Sequence, residues 1–272
     1  MSRFAPLFAQ GRADRRALLI PYFCAGFPDL QTTVELVCAA ADAGADIVEL
    51  GVPFSDPTAD GPAIQRASEH ALAGGTTLRQ VLQAVRSIRQ RSDVPLLLFG
   101  YYNPILAFGE GQTVEAAAAA GIDGLLVVDL PPEESAGLRQ AAVAAALDYV
   151  PLVAPNTQPH RIVRITAQAT SFLYSVSLTG VTGARRVDLH AAAQRCAALR
   201  QQTGHPVAVG FGIQSEQDVA TIAAQADAVI VGSALVRLIE STATPQAAPK
   251  AVHDCLRAWR EATTRSSSAT AG

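Results

Sequence analysis

Asp46-Ile47-Val48-Glu49-Leu50-Gly51-Val52 alternates like a strand, with Val48, Leu50 and Val52 on one face and Ile47, Glu49 and Gly51 on the other. The first face is uniformly apolar and suits a cover of helices, so the second, with its single carboxylate, points into an enclosed interior. Seven further runs rich in Val, Ile and Leu resemble it: Ala17 to Cys24, Val94 to Tyr101, Gly124 to Asp129, Asp148 to Val153, Phe172 to Ser177, Val207 to Gly210 and Ala228 to Gly232. Ala-rich stretches with the 3.6-residue apolar period of helices lie between them, such as Leu30 to Ala43, Thr77 to Arg91, Glu133 to Ala146, Leu189 to Gln202 and Ser215 to Ala224. Eight strand-then-helix units point to an α/β chain folded as a single-domain (β/α)8 TIM barrel. The alternative, an open doubly wound sheet, usually has fewer strands and a GxGxxG turn after the first, and no such turn is present.

Two additions flank the repeat, an extra N-terminal helix at Ser2 to Gln10 and a C-terminal helix at Ala251 to Ala262 that carries the only tryptophan, Trp259. Each is placed to cap an end of the barrel. The barrel domain is expected to span 1–262, and the Ser, Thr and Ala tail 263–272, which has no apolar period, is expected to be disordered.

Composition removes several function classes. The 272 residues are 49% apolar and 17% charged, enough to bury a large core, and this excludes a disordered or fibrous chain. A net charge of -3, with no basic cluster interleaved with aromatics, argues against a nucleic-acid partner. No apolar run approaches the roughly 18 to 20 residues of a membrane span. Met1-Ser2-Arg3-Phe4 lacks the order of a signal peptide, so a cytoplasmic location is expected. Cys24, Cys38, Cys196 and Cys255 are scattered, without a CxxC, and read as reduced thiols. None of the five histidines forms an HxH or HExxH pair, so no metal is expected. The only lysine, Lys250, sits near the C-terminus in a Pro-bounded stretch, which argues against a lysine Schiff base to a carbonyl substrate or to PLP.

In such barrels the reactive groups stand at the C-terminal ends of the strands and in the loops that follow. Glu49 is the first candidate, because an inward carboxylate needs either an arginine partner or a raised pKa, and no arginine stands on a strand. The loop Pro53 to Pro62 adds Asp56 and Asp60, and spacing alone does not choose between them. Tyr174, inside the sixth strand, could satisfy a core hydrogen bond or orient a carboxylate. Three glycine-bearing turns, Ser177 to Gly183, Gly210 to Ile213 and Gly232 to Ala234, fall in the last three loops. The final turn opens a helix at Ser233, and together they suit a phosphate bound by backbone N–H groups.

The strings Pro53-Phe54-Ser55-Asp56-Pro57 with Ala59-Asp60-Gly61-Pro62, Gly100-Tyr101-Tyr102-Asn103-Pro104, Gly180-Val181-Thr182-Gly183 and Gly210-Phe211-Gly212-Ile213 resemble the tryptophan synthase alpha subunit family in order and spacing, from about Phe4 to Trp259. The resemblance implies a cofactor-free lyase that splits indole-3-glycerol phosphate into indole and glyceraldehyde 3-phosphate. It also implies an alpha2beta2 complex with a beta subunit that alone carries PLP. By motif, Glu49 and Asp60 are the implied catalytic pair, assisted by Tyr174. Thr182, Gly183, Gly212, Gly232 and Ser233 hold substrate and phosphate, and Asp56, Pro57 and Asn103 face the partner. Tyr22, near the indole, stands where some members have Phe, and Leu178 where many have Arg. Two other readings remain: another phosphate-binding barrel enzyme acting on a sugar phosphate or indole-glycerol phosphate, and a non-catalytic activator of a beta subunit.

Overall fold

The computed structural model describes residues 2–176, 188–210 and 212–265. Nine strand segments form one sheet: β1 (Leu18–Cys24), β2 (Val48–Gly51), β3 (Leu96–Gly100), β4 (Gly124–Val127), β5 (Asp148–Tyr149), β6 (Leu152–Val153), β7 (Leu173–Val176), β8 (Val207–Gly210) and β9 (Ala228–Val231). All pair in parallel, in the order β5-β4-β3-β2-β1-β9-β8-β7-β6. The two end segments are halves of one stave. Sequence periodicity reads 148–153 as continuous, but Pro151 has no N–H to give a ladder, and the pairing breaks there. Val150 N–H still donates to Leu125 O (3.0 Å), and Tyr174 N–H donates to Pro151 O (3.0 Å), so the ring closes as eight staves.

The helices are α1 (Phe4–Ala13), α2 (Leu30–Asp42), α3 (Pro62–Ala73), α4 (Leu78–Arg89), α5 (Tyr102–Phe108) and α6 (Glu110–Ala120) in the first half of the chain. The second half has α7 (Ala136–Ala144), α8 (Pro159–Thr166), α9 (Leu189–Thr203), α10 (Glu216–Ala223), α11 (Ser233–Glu240) and α12 (Ala248–Ala262). Their starts follow side-chain chemistry. Asp29 caps α2 by accepting the Thr32 N–H (2.7 Å), and Thr77 with Gln80 makes a capping box on α4. The buried stripe of α4, Leu78, Val81, Leu82, Val85 and Ile88, keeps the helical period that lays it on the staves.

Alternation along the strands divides the core in two. Leu19, Val48, Leu50, Leu96 and Leu98 fill the space between staves and helices, whereas Ile20, Ile47, Leu97, Leu126 and Ile230 fill the barrel. α1 closes the N-terminal mouth: Phe4 and Phe8 enter the inner core against Phe172, with ring centroids 6.0 and 4.9 Å away. α12 does not cap an end. It packs beside α2, α10 and α11 in the outer layer, with Trp259 in the outer core, and so serves as the eighth helix of the ring. It also starts earlier than sequence suggests, because Pro249 in the first turn has no N–H that the helix would need.

The packed chain runs three residues past the expected boundary at 262. Thr263 is fully buried, Thr264 bridges to Arg16, and the Arg265 guanidinium donates to Ala223 O (2.9 Å) and Ala226 O (2.7 Å). Residues 266–272 lie outside the described residues. At the same mouth Asp46, Asp123 and Asp227 accept the backbone N–H of Leu19, Leu96 and Val207, and pair with Arg16, Arg89 and Arg200. The buried aspartate–arginine pairs are therefore structural and stand at the N-terminal end of the barrel. Among the described residues no helix is long and apolar enough to cross a membrane.

Candidate active site

β2 places Glu49 inside the barrel beside Tyr22 of β1 and Leu97 of β3, where it is only 1% exposed. Its Oε1 atom is shut off from solvent and has no hydrogen-bond partner among the described residues. Burial, with the nearby Asp60 charge adding to it, pushes the Glu49 carboxyl well above the ordinary carboxylate range.

The two loop aspartates separate cleanly. Asp56 is exposed and accepts a hydrogen bond from the Ser55 hydroxyl (2.7 Å), whereas Asp60 is 4% exposed and turned into the barrel mouth. A turn in which Asp60 N–H donates to Pro57 O (3.0 Å) leads straight into α3, whose N-terminal residues sit over the mouth. The Tyr101 hydroxyl donates to Asp60 Oδ2 (2.9 Å) and accepts the Ala59 N–H (3.0 Å). Burial raises the Asp60 pKa to about 6, and the bond from Tyr101 opposes that rise. The mouth thus holds two carboxyl groups in unlike settings, Glu49 buried without a partner at Oε1 and Asp60 held by the Tyr101 hydroxyl. Nothing in the Gly100-Tyr101-Tyr102-Asn103-Pro104 motif marks Tyr101 as the partner of Asp60. Its position at the C-terminal end of β3 was the available signal.

Glu49 and Asp60 share a pocket with Tyr22, Ile64, Phe99, Tyr174, Gly212, Ile213, Ile230, Gly232 and Ser233. Phe99 meets the Tyr22 ring edge-on at 5.4 Å and lies 6.5 Å from Tyr174, so one wall is aromatic and apolar. The strands make room for both phenols with glycine: a Cβ on Gly51 would lie 2.2 Å from the Tyr22 hydroxyl, and one on Gly210 would lie 2.1 Å from that of Tyr174. Gly212, Gly232 and Ser233 line the same pocket, where α11 begins without a side-chain cap among the described residues. Thr182 and Gly183, expected beside them, and Leu178 lie outside the described residues. Asn103, on α5, is exposed, and Pro57 is half-buried beside Asp56. Among the described residues no group of three or more His, Cys, Asp and Glu side chains is arranged to hold a metal ion.

The family model for the tryptophan synthase alpha chain matches residues 8–264. This chain belongs to the tryptophan synthase alpha chain family. It is 50% identical over 240 residues to the tryptophan synthase alpha chain of Geobacter sulfurreducens, covering 88% of this chain and 91% of that one. It is 48% identical over 264 residues to that of Nitrosococcus oceani, covering 96% and 97%. Among solved structures, tryptophan synthase subunit alpha from Legionella pneumophila superposes with a TM-score of 0.88 at 35% identity, over 97% of this chain and 98% of that one. Tryptophan synthase from Mycobacterium tuberculosis superposes at 0.87 and 36%, over 97% and 99%. As a tryptophan synthase alpha chain it is a lyase that cleaves indole-3-glycerol phosphate by a retro-aldol reaction, and its family membership implies a beta-subunit partner.

Proposed function

We propose that Glu49 and Asp60 carry the lyase reaction as an acid/base pair, in a chain that needs no cofactor of its own. The observation that supports this most directly is the pair of unlike carboxyl groups lining one pocket, one pushed well above the carboxylate range by burial and the other raised to about 6. To break the bond between indole C3 and the glycerol chain, C3 must gain a proton and the adjacent side-chain hydroxyl must lose one. Glu49 supplies the first proton to C3. The resulting carboxylate then accepts the hydroxyl proton as the carbon bond breaks and the aldehyde forms, which returns Glu49 to its starting state. Protonation at C3 places positive charge on the ring nitrogen, and ionised Asp60 stabilises it by accepting the ring N–H hydrogen bond in a water-poor site. Tyr22, Phe99 and Tyr174 enclose the ring.

The phosphate is held by backbone N–H groups around Gly212, Gly232 and Ser233, completed by Thr182 and Gly183. Asp56, Pro57 and Asn103 face the beta subunit in an alpha2beta2 assembly, which alone holds PLP, and the enzyme works in the cytoplasm. The test is indole release from indole-3-glycerol phosphate by Glu49→Gln and Asp60→Asn. Both are expected to lose activity by at least ~10²-fold, the low end for removing a general acid/base. Near-normal turnover in either variant would remove that residue from the mechanism.

A further inference from the structure

Asp60 has two oxygens, and the proposed chemistry requires one of them to be free for the ring nitrogen. The hydrogen bonds at the end of β3 fix which one. An amide N–H can only donate, so the Ala59 N–H occupies a lone pair of the Tyr101 hydroxyl. The phenol proton is then committed to the neighbouring acceptor, Asp60 Oδ2. The ring itself is immobilised: Tyr101 is buried, and it stacks on Phe54 with centroids 5.0 Å apart and planes 29° apart. The Asp60 carbonyl is also held, by the Gln65 side-chain amide at 3.0 Å.

We infer that Tyr101 is the positioning residue for Asp60: it engages Oδ2, leaves Oδ1 to face the substrate, and ties residues 59 and 60 to the end of β3 so that the carboxylate meets the ring nitrogen in one orientation. This rests on the role of Asp60 proposed above. A donor that bonds the ionised carboxylate also favours ionisation, against the burial that raises the Asp60 pKa. The groups facing Asp60 from the other elements are Glu49 on β2, Tyr22 and Cys24 on β1, and Tyr174 on β7. Burial raises the pKa of each of these groups and the Asp60 charge adds to the rise, whereas the bond that opposes the rise at Asp60 itself comes from the Tyr101 hydroxyl.

The experiment is the pH profile of kcat/KM for Tyr101→Phe, alone and combined with Asp60→Asn, with a thermal melt of each variant as a check on folding. Removal of one hydroxyl leaves the stack on Phe54, so the fold is expected to persist. The acidic limb should move to higher pH, with a loss of ~30-fold at pH 6 shrinking to ~3-fold at pH 8, and with KM changed by less than ~2-fold, as expected when a charge-assisted bond to Asp60 is lost. In the Asp60→Asn background the same substitution should have almost no further effect, because its target is gone. An unmoved acidic limb, or losses that multiply independently in the double variant, would overturn the assignment of Tyr101 while leaving Asp60 in place. Near-normal turnover in Asp60→Asn alone would overturn both.

Discussion

A carboxyl group whose pKa is raised by folding weakens the fold wherever it is ionised. For Asp60 the folded value is about 6 against 3.8 for the free side chain. Between those values the unfolded chain binds fewer protons than the native one, so stability falls as pH rises from 3.8 to 6 and stays lowered above that. The shift corresponds to roughly 3 kcal/mol at neutral pH. Asp60→Asn keeps an oxygen to accept from Tyr101 and removes the ionisation, so it is expected to melt at higher temperature than the parent at pH 8 and at about the same temperature at pH 3.5, while losing activity. Equal melting points at pH 8 would show that the buried charge is better compensated than its surroundings suggest. Glu49→Gln should follow the same direction, since its carboxyl is raised by burial in the same pocket. The inward, buried placement of Glu49 is legible in sequence, because strand alternation alone turns it inward and no strand arginine offers a partner. Tyr101 was not legible: its function depends on the loop at 57–60 folding back onto the end of β3, and nothing within Gly100-Tyr101-Tyr102 encodes that approach. Spacing alone does not separate Asp60 from Asp56; the family resemblance does, and the turn that buries one and exposes the other gives the physical reason.

The elements divide between those that hold the barrel and those that hold the site, and the two sets occupy opposite mouths. At the N-terminal mouth, α1 inserts Phe4 and Phe8 against Phe172. Truncating a buried phenylalanine costs ~3–5 kcal/mol through lost burial and the cavity left behind. Phe4→Ala is therefore expected to lower the denaturation midpoint by an amount in that range, with kcat/KM for indole-3-glycerol phosphate unchanged at temperatures where the variant is folded. A fall in kcat/KM without a loss of stability would mean that the plug acts on the site rather than on the scaffold. The ring of strands and most helices followed from apolar period, since that pattern is local. The break at Pro151 and the place of α12 in the outer ring did not. Whether a strand pauses at a proline depends on what its two neighbours still donate and accept, and whether a terminal helix caps a mouth or fills a gap depends on which gap the other helices leave.

At the scale of the whole molecule, the pocket draws residues from β1, β2, β3, β7 and β9, from the loops after β2, β8 and β9, and from the starts of α3 and α11, so no single element contains it. Two of the contributing segments also reach the surface. The loop that buries Asp60 exposes Asp56 four residues before it, next to the turn in which Pro57 O accepts the Asp60 N–H, and the segment that begins with Tyr101 exposes Asn103 two residues later. A beta subunit docked on Asp56, Pro57 and Asn103 would press on the same two segments that the Tyr101 bond joins at Asp60. Indole is small and apolar, so a lyase coupled to its consumer gains from cleaving only when that consumer is attached. The isolated chain is therefore expected to be a slow enzyme that is accelerated by the beta subunit, a step gated by the conformation of these segments. Because coupling is reciprocal in binding free energy, glycerol 3-phosphate in the pocket and the beta subunit on the rim should tighten each other's binding by the same factor. Titration calorimetry of the beta subunit into this chain, with and without glycerol 3-phosphate, measures that factor directly. Asp56→Asn should reduce it while leaving the slow turnover of the isolated chain unchanged, since Asp56 lies outside the pocket. If the ligand leaves partner affinity unaltered and the partner leaves turnover unaltered, the two surfaces are independent, and the shared segments serve only to build the barrel mouth.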